Sequence, residues 1–388
     1  MKKKFNLGLL TRVLIAIVLG ITLGNWMPHW GIRVFVTFND IFSQLLSFLV
    51  PLIILGLVAP AIADMGKRAG KMLLITVGMA YGTTLISGFA AYGTSMGLFP
   101  MVISSSDMAS ELAKDNALTS YFTVGIPPLM SVMTALFMAF LLGIGITKIG
   151  GNSLKKMLDE FKDIISLAIQ KVIIPLLPLH IFGIFLNITQ SGQIATMLSV
   201  FIKIIGIIFA LHVLVLLLQF TVAGIVTKRN PLKLLYNMLP AYFTALGTQS
   251  SAATIPVTLK QTLKNNVNED VAGFVIPLCA TIHLSGSTLK IVSCAIALIM
   301  MQGGAVEMGT MIYFICMLGV IMVAAPGVPG GAIMASISVL QSILGFDESQ
   351  VALMIALYIT MDNFGTACNV TGDGAIALII DKIYKKRK

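Results

Sequence analysis

The chain carries no Asp, Glu, Lys or Arg between Lys203 and Lys228, and similar apolar runs recur from end to end. A membrane-spanning helix needs about 20 predominantly apolar residues, and such runs are long enough. Barrel strands would instead alternate in segments of about ten residues, so helices are favoured. Only 11% of residues are charged against 57% hydrophobic. A soluble domain carries about a quarter charged residues and covers its core with far more polar surface. Disorder and a disulfide scaffold are excluded on the same grounds. The chain reads as an all-α integral membrane protein.

The net charge of +10 is placed as membrane anchors rather than as a nucleic-acid surface. Lys2, Lys3 and Lys4 open the chain, and Lys385, Lys386, Arg387 and Lys388 close it. Spans are expected at 8–30, 41–63, 71–99, 121–147, 160–187 and 195–226. Basic clusters follow the second span (Lys67, Arg68, Lys71), the fourth (Lys148, Lys155, Lys156, Lys162) and the sixth (Lys228, Arg229, Lys233). Intervening loops hold few cations, which puts both termini in the cytoplasm of an inner-membrane protein. The basic start resembles a signal peptide, but no small-residue cleavage site follows, and Trp26 and Trp30 lie where an aromatic belt would. The first span is therefore read as retained. Cys279, Cys294, Cys316 and Cys368 lack metal-ligand spacing and read as small apolar residues with free thiols.

Segments 234–266 and 310–345 are apolar at both flanks but interrupted centrally, by Gly247-Thr248-Gln249-Ser250-Ser251-Ala252-Ala253-Thr254-Ile255-Pro256 and by Ala325-Pro326-Gly327-Val328-Pro329-Gly330-Gly331. Such centres cannot face lipid with their backbone unpaired, although they can line a polar cavity within protein. Both read as re-entrant hairpins. Lys228, Lys233, Lys260 and Lys264 open the first from the cytoplasm, whereas the loops flanking the second contain no Lys or Arg and open it from outside. Full spans at 271–301 and 349–381 complete eight transmembrane helices plus two opposed hairpins. This is the pattern of an inverted repeat around a midplane site.

Intramembrane ionisable residues point to function. On the last span Asp362, Thr366, Asn369 and Asp373 are spaced i, i+4, i+7 and i+11 and share one helical face. Two buried carboxylates are costly unless each meets a cation, such as an ammonium group or a metal ion. Helix–helix hydrogen bonding is the plainer reading, and for Thr371 it stands level with a functional one. On the preceding span, Ser285-Gly286-Ser287 can unwind the helix and free carbonyls for a cation. A lone histidine such as His283 is ordinarily a hydrogen-bonded packing residue. Lys290 lies too deep to snorkel and must either pair with a carboxylate or lose its proton.

The Ser250-Ser251-Ala252-Ala253-Thr254-Ile255-Pro256 tip, the Gly327-Val328-Pro329-Gly330 tip and Asn369-Val370-Thr371-Gly372-Asp373 stand in order and in their expected topological places. With these motifs the chain resembles, over essentially its whole length, the dicarboxylate/amino acid:cation symporter family. The resemblance implies a homotrimer working as an elevator. Its scaffold would be residues 1–70 and 121–187 (spans one, two, four and five). Its transport domain would be 71–99, 195–226, 234–266, 271–301, 310–345 and 349–381. The resemblance also implies that Asp362 holds a substrate ammonium and Asn369 its α-carboxylate, beside the backbone of Ser250 and Ser251. Ser287 and Thr366 would add hydroxyls, and the Val328–Gly330 tip would close above. Sodium would meet Asp373 and carbonyls of Cys279, His283 and Asn369, with a second ion near Thr281 and the second hairpin.

Departures from the family pattern narrow the substrate. Acidic-substrate members carry an Arg where this chain has Gly365, and a bidentate Arg is what a side-chain carboxylate needs. Gly365 is expected to leave volume for a larger neutral side chain. The family's Asn-Met-Asp-Gly-Thr is here His283-Leu284-Ser285-Gly286-Ser287, so a third sodium site is absent or altered, with Tyr81 and Thr84 as its remnants. The Arg often found before the Ser-rich tip is Gln249, and Lys290 stands at a commonly aromatic position. A Lys290–Asp362 pair can replace a lost Arg–Asp pair. The expected function is sodium-driven import of a neutral α-amino acid; proton coupling or obligatory exchange is the alternative. A channel and an intramembrane hydrolase are the rivals from other classes. For the hydrolase, spacing alone shows no base within reach of a serine.

Overall fold

A computed structural model describes residues 9–67, 71–103, 118–150, 152–190, 192, 194–325 and 329–385. Among these residues every regular element is helical. The Val328 position of the second tip lies outside them. The first half comprises α1 (Leu9–Gly24), α2 (His29–Lys67), α3 (Lys71–Leu98), α4 (Val132–Ile149), α5 (Asn152–Ala168), α6 (Ile174–Gln190) and α7 (Ile194–Thr227). A π-helical turn, Ile169–Ile173, joins α5 to α6. The second half comprises α8 (Pro231–Thr248), α9 (Ser251–Lys264), α10 (Glu269–Ile282), α11 (Ser285–Met301), α12 (Met308–Met322), α13 (Gly331–Leu344), α14 (Glu348–Thr360) and α15 (Asp362–Lys385).

Among the described residues five helices are long and apolar enough to cross a membrane, or six if the bent pair α14–α15 is one span. Thr11–Gly24 and Phe137–Ile149, within two further expected spans, are shorter apolar helices. Element ends depart from expectation where prolines intervene. The second helix begins at His29, directly after Pro28, far ahead of residue 41. The fourth begins only at Val132, because Pro127 and Pro128 hold the preceding chain out of helix and the Ser131 side chain caps Thr134 N–H. That non-helical segment lies across α2, where Arg33 donates to the carbonyls of Thr119 and Ser120 and stacks 4.2 Å from the Tyr121 ring centre.

The helices α4, α5 and α6 pack on α2, and α1 packs on α6. The helix α3 lies against α11 and α12, and α15 is surrounded by α7, α8, α9, α10 and α11. Burial separates centre from periphery: an apolar 18-residue stretch of Glu269–Met301 is 89% buried, against 33% for one of Lys71–Met101. On α7, Ile202, Leu214 and Ile225 remain exposed, as a lipid-facing surface requires.

Both interrupted segments fold back as packed helix pairs, α8 with α9 and α12 with α13. At the first tip Gln249 adopts a left-handed φ of 54°, and Ser250 caps α9 by accepting from Ala253 N–H. Its base is tied by buried Asn265, whose side chain donates to Leu234 O at 3.0 Å and accepts from Asn237 Nδ2 at 2.8 Å. At the second tip Gly330 has φ 74°, a conformation that excludes most side chains.

Candidate functional site

Two helix breaks create the site. The first lies at His283 and Leu284, between α10 and α11. The second lies at Met361, where α14 and α15 meet at a bend of 62°. Asp362 follows the second break in the first turn of α15, where a carboxylate suits the helix N-terminus. Thr366, Asn369 and Asp373 descend the same helix, each less than a tenth exposed.

Asp362 is held from two sides. Its Oδ1 lies 3.3 Å from Lys290 Nζ, and its Oδ2 accepts the Gly330 N–H at 2.8 Å. Lys290 is fully buried on α11. Its ammonium also donates to Met361 O at 3.3 Å and sits 3.7 Å from the centre of the Tyr358 ring. A carboxylate, a carbonyl and an aromatic face suit a buried ammonium.

Gly365 must be reinterpreted. A Cβ there would collide with the end of the Lys290 side chain. The volume is filled by Lys290 and is not open to a substrate side chain. The glycine is required by the lysine that crosses it.

Asn369 binds the broken span to α15. Its Oδ1 accepts from Gly286 N–H at 2.8 Å and from Ser287 N–H at 3.4 Å. Its Nδ2 donates to Ser287 Oγ at 3.1 Å, and Tyr358 O–H donates to the same oxygen at 3.0 Å. Thr371 Oγ1 is buried without a hydrogen-bond partner among the described residues, so its hydroxyl makes no interhelical bond to them.

At the far end of the stripe, His283 Nδ1 lies 2.8 Å from Asp373 Oδ1, with both side chains buried. The Cys279 carbonyl accepts the His283 N–H at 2.8 Å as α10 ends. Thr281 is bonded within its own helix, to Leu278 O at 2.7 Å. From α7, Gln219 donates to Ser285 Oγ at 3.3 Å, and His212 Nε2 lies 3.1 Å from Gly286 O. A Cβ at Gly372 would strike both Gln219 and His283, so this glycine allows the histidine to reach the aspartate. Tyr81 donates to Cys316 O on α12 at 3.3 Å, and Thr84 to Ala80 O in its own helix at 2.8 Å. Ser251 is buried at the start of α9, which packs on α15.

Three of these residues escape a reading of sequence. His212 and Gln219 leave a signal, as polar residues seven apart in an apolar run. Tyr358 leaves none.

Residues 9–383 match the sodium:dicarboxylate symporter family. The chain belongs to this family. Among curated proteins it is 26% identical to a serine/threonine transporter of Acinetobacter baumannii (strain AYE) over 397 residues, covering 97% of each chain. It is 27% identical over 292 residues to an excitatory amino acid transporter of Caenorhabditis elegans, covering 72% of this chain and 57% of that one. It is 30% identical over 255 residues to excitatory amino acid transporter 1 of Rattus norvegicus, covering 64% and 46%. Family membership makes the protein a multi-pass membrane transporter with sodium coupling, and not an enzyme. The hydrolase reading is set aside.

Proposed function

We propose that the protein imports a neutral α-amino acid with sodium, as a homotrimer in the cytoplasmic membrane with both termini inside. Alternating access would follow an elevator movement of α3 and α7–α15 against α1, α2 and α4–α6. The observation that carries the substrate class is the charge balance at Asp362. Lys290 and Asp362 already neutralise one another at 3.3 Å. A zwitterion adds no net charge to such a pair, whereas an acidic substrate would add an uncompensated carboxylate in a low-dielectric site. The substrate ammonium takes Asp362. Its carboxylate meets Asn369 Nδ2 and the backbone at Ser250 and Ser251, with Ser287 and Thr366 alongside. Serine and threonine, the substrates in the printed name of one relative, are the first to try.

Sodium is read at Asp373, with carbonyls of Cys279, His283 and Asn369 as its oxygen donors. A second ion is placed near Thr281 and the second hairpin. The imidazole 2.8 Å from Asp373 favours a second reading, in which a proton or obligatory exchange replaces sodium coupling. A thermal-shift screen of purified protein against twenty amino acids, with sodium or choline, tests both readings, because a ligand of the folded state raises its apparent stability. Sodium-dependent shifts by neutral amino acids support the proposal. Shifts by aspartate alone would overturn the substrate class, and equal shifts in choline would overturn sodium coupling. Saturable, counterflow-competent uptake in proteoliposomes separates a carrier from a channel.

A further inference from the structure

A carrier that accumulates its substrate must return across the membrane unloaded. On that leg the carboxylate that held the substrate ammonium is left bare beneath a closing gate, and a buried unpaired carboxylate is strongly unfavourable. We infer that Lys290 stands in for the substrate ammonium at Asp362 during this step and so permits the empty carrier to close and return. The inference rests on the neutral amino acid reading above.

Four observations converge on this role. Lys290 Nζ reaches Asp362 Oδ1 at 3.3 Å, while the other oxygen accepts the Gly330 N–H at 2.8 Å. Gly330, just ahead of α13, therefore rests on a charge pair that the protein completes by itself. The lysine comes from α11, not from the hairpin, so its charge stays in the site whether the tip is raised or lowered. Gly365 keeps its path clear, since any Cβ there would meet the end of the side chain. Met361 O at 3.3 Å and the Tyr358 ring at 3.7 Å give the ammonium a second set of partners that does not include Asp362. It can yield Asp362 Oδ1 to an arriving substrate without leaving the site.

The two carrier forms then match in charge. Empty, the site holds one ammonium and one carboxylate, both from the protein. Loaded with a zwitterion, it gains one charge of each sign. Neither form buries an unbalanced carboxylate. Without Lys290 the empty form would leave Asp362 with no ammonium beside it, whereas the loaded form would still pair it with that of the substrate. The protein would then exchange substrates better than it accumulates them.

The test compares two fluxes in proteoliposomes with radiolabelled L-serine or L-threonine. One is net uptake into vesicles free of amino acid; the other is uptake into vesicles preloaded with the same amino acid. For Lys290→Met the ratio of net uptake to exchange should fall about tenfold or more, each tenfold corresponding to about 1.4 kcal/mol of added barrier on the return leg. A merely structural lysine would lower both fluxes together, so an unchanged ratio overturns the inference. If Lys290→Met does not insert, Gly365→Ala, which displaces the lysine from beside Asp362, is measured in the same way and should lower the ratio in the same direction. Wild-type protein that shows neither flux, and no thermal shift with any neutral amino acid, removes the substrate reading and this inference with it. Active wild type with an unchanged ratio in the variants removes the inference alone.

Discussion

The two ends of the polar stripe on α15 are built on one plan with different parts. Each carboxylate is met by a nitrogen from the broken span formed by α10 and α11: Asp362 by Lys290 at 3.3 Å, Asp373 by His283 at 2.8 Å. Each meeting is made possible by a glycine on α15, Gly365 at one end and Gly372 at the other. At the upper end a hairpin amide, Gly330 N–H, completes the carboxylate; the lower end lies among packed helices. A lysine ammonium is a compact, strongly hydrated point charge, whereas imidazole switches between neutral and charged forms. The Asp362 end is thus balanced by the protein itself. The Asp373 end is met by an imidazole in place of a lysine ammonium.

Asp362→Asn should produce the largest effect. It leaves Lys290 as an unpaired buried charge, at a cost of about 3–5 kcal/mol. It also removes the partner proposed for the substrate ammonium, so initial uptake at matched protein content should fall by roughly a hundredfold or more. Near-native uptake would break the comparison, because the upper carboxylate would then be structural only.

Asp373→Asn acts on the other end. Linkage requires that sodium raise substrate affinity by the same factor as substrate raises sodium affinity, about 5- to 150-fold for a typical coupling of 1–3 kcal/mol, and the substitution should shrink both factors together. Titrating substrate-induced thermal shifts with sodium, and sodium-induced shifts with substrate, measures both factors. Factors unchanged from those of the wild type would show that Asp373 does not couple the two ligands.

Gly365→Ala should destabilise the folded protein by about 1–3 kcal/mol through overpacking against Lys290. Adding Lys290→Met, whose side chain is uncharged and flexible, should recover part of that loss. A double-mutant cycle on melting temperature reads the coupling directly. Strict additivity would mean that the glycine and the lysine do not share this volume.

The smallest effect is expected for Tyr358→Phe. The ring beneath Lys290 remains and only the hydrogen bond to Ser287 is lost, a change of about 0.5–1.5 kcal/mol in stability. A transport defect much larger than this would mean that the hydroxyl itself meets substrate.

Much of the site's outline was legible in residue order. Asp362, Thr366, Asn369 and Asp373 fall on one face because a helix repeats every 3.6 residues; the unwinding expected at Ser285-Gly286-Ser287 lies instead at His283 and Leu284, and the serines are already helical. The interruption before Gly330 was legible too, since Pro and Gly announce themselves. The meaning of Gly365 was misjudged, because an empty position in sequence can be filled by a side chain from another helix. Asn369 presents a similar limit: its amide is committed to Gly286 and Ser287, which only the approach of α11 to α15 reveals. Tyr358 carried no signal, being one aromatic residue in an apolar stretch.

Sequence alone determined that this is a polytopic helical membrane protein with an acidic stripe on its last helix and interruptions at two defined places. Apolar run length, helical period and backbone-breaking residues are local properties and survive in one dimension. Tertiary structure decided which nitrogen faces which carboxylate, which glycine accommodates which side chain, and that Gly330 rests on Asp362. These are distances of about 3 Å between segments dozens of residues apart, set by how helices pack around α15, and no periodicity encodes them.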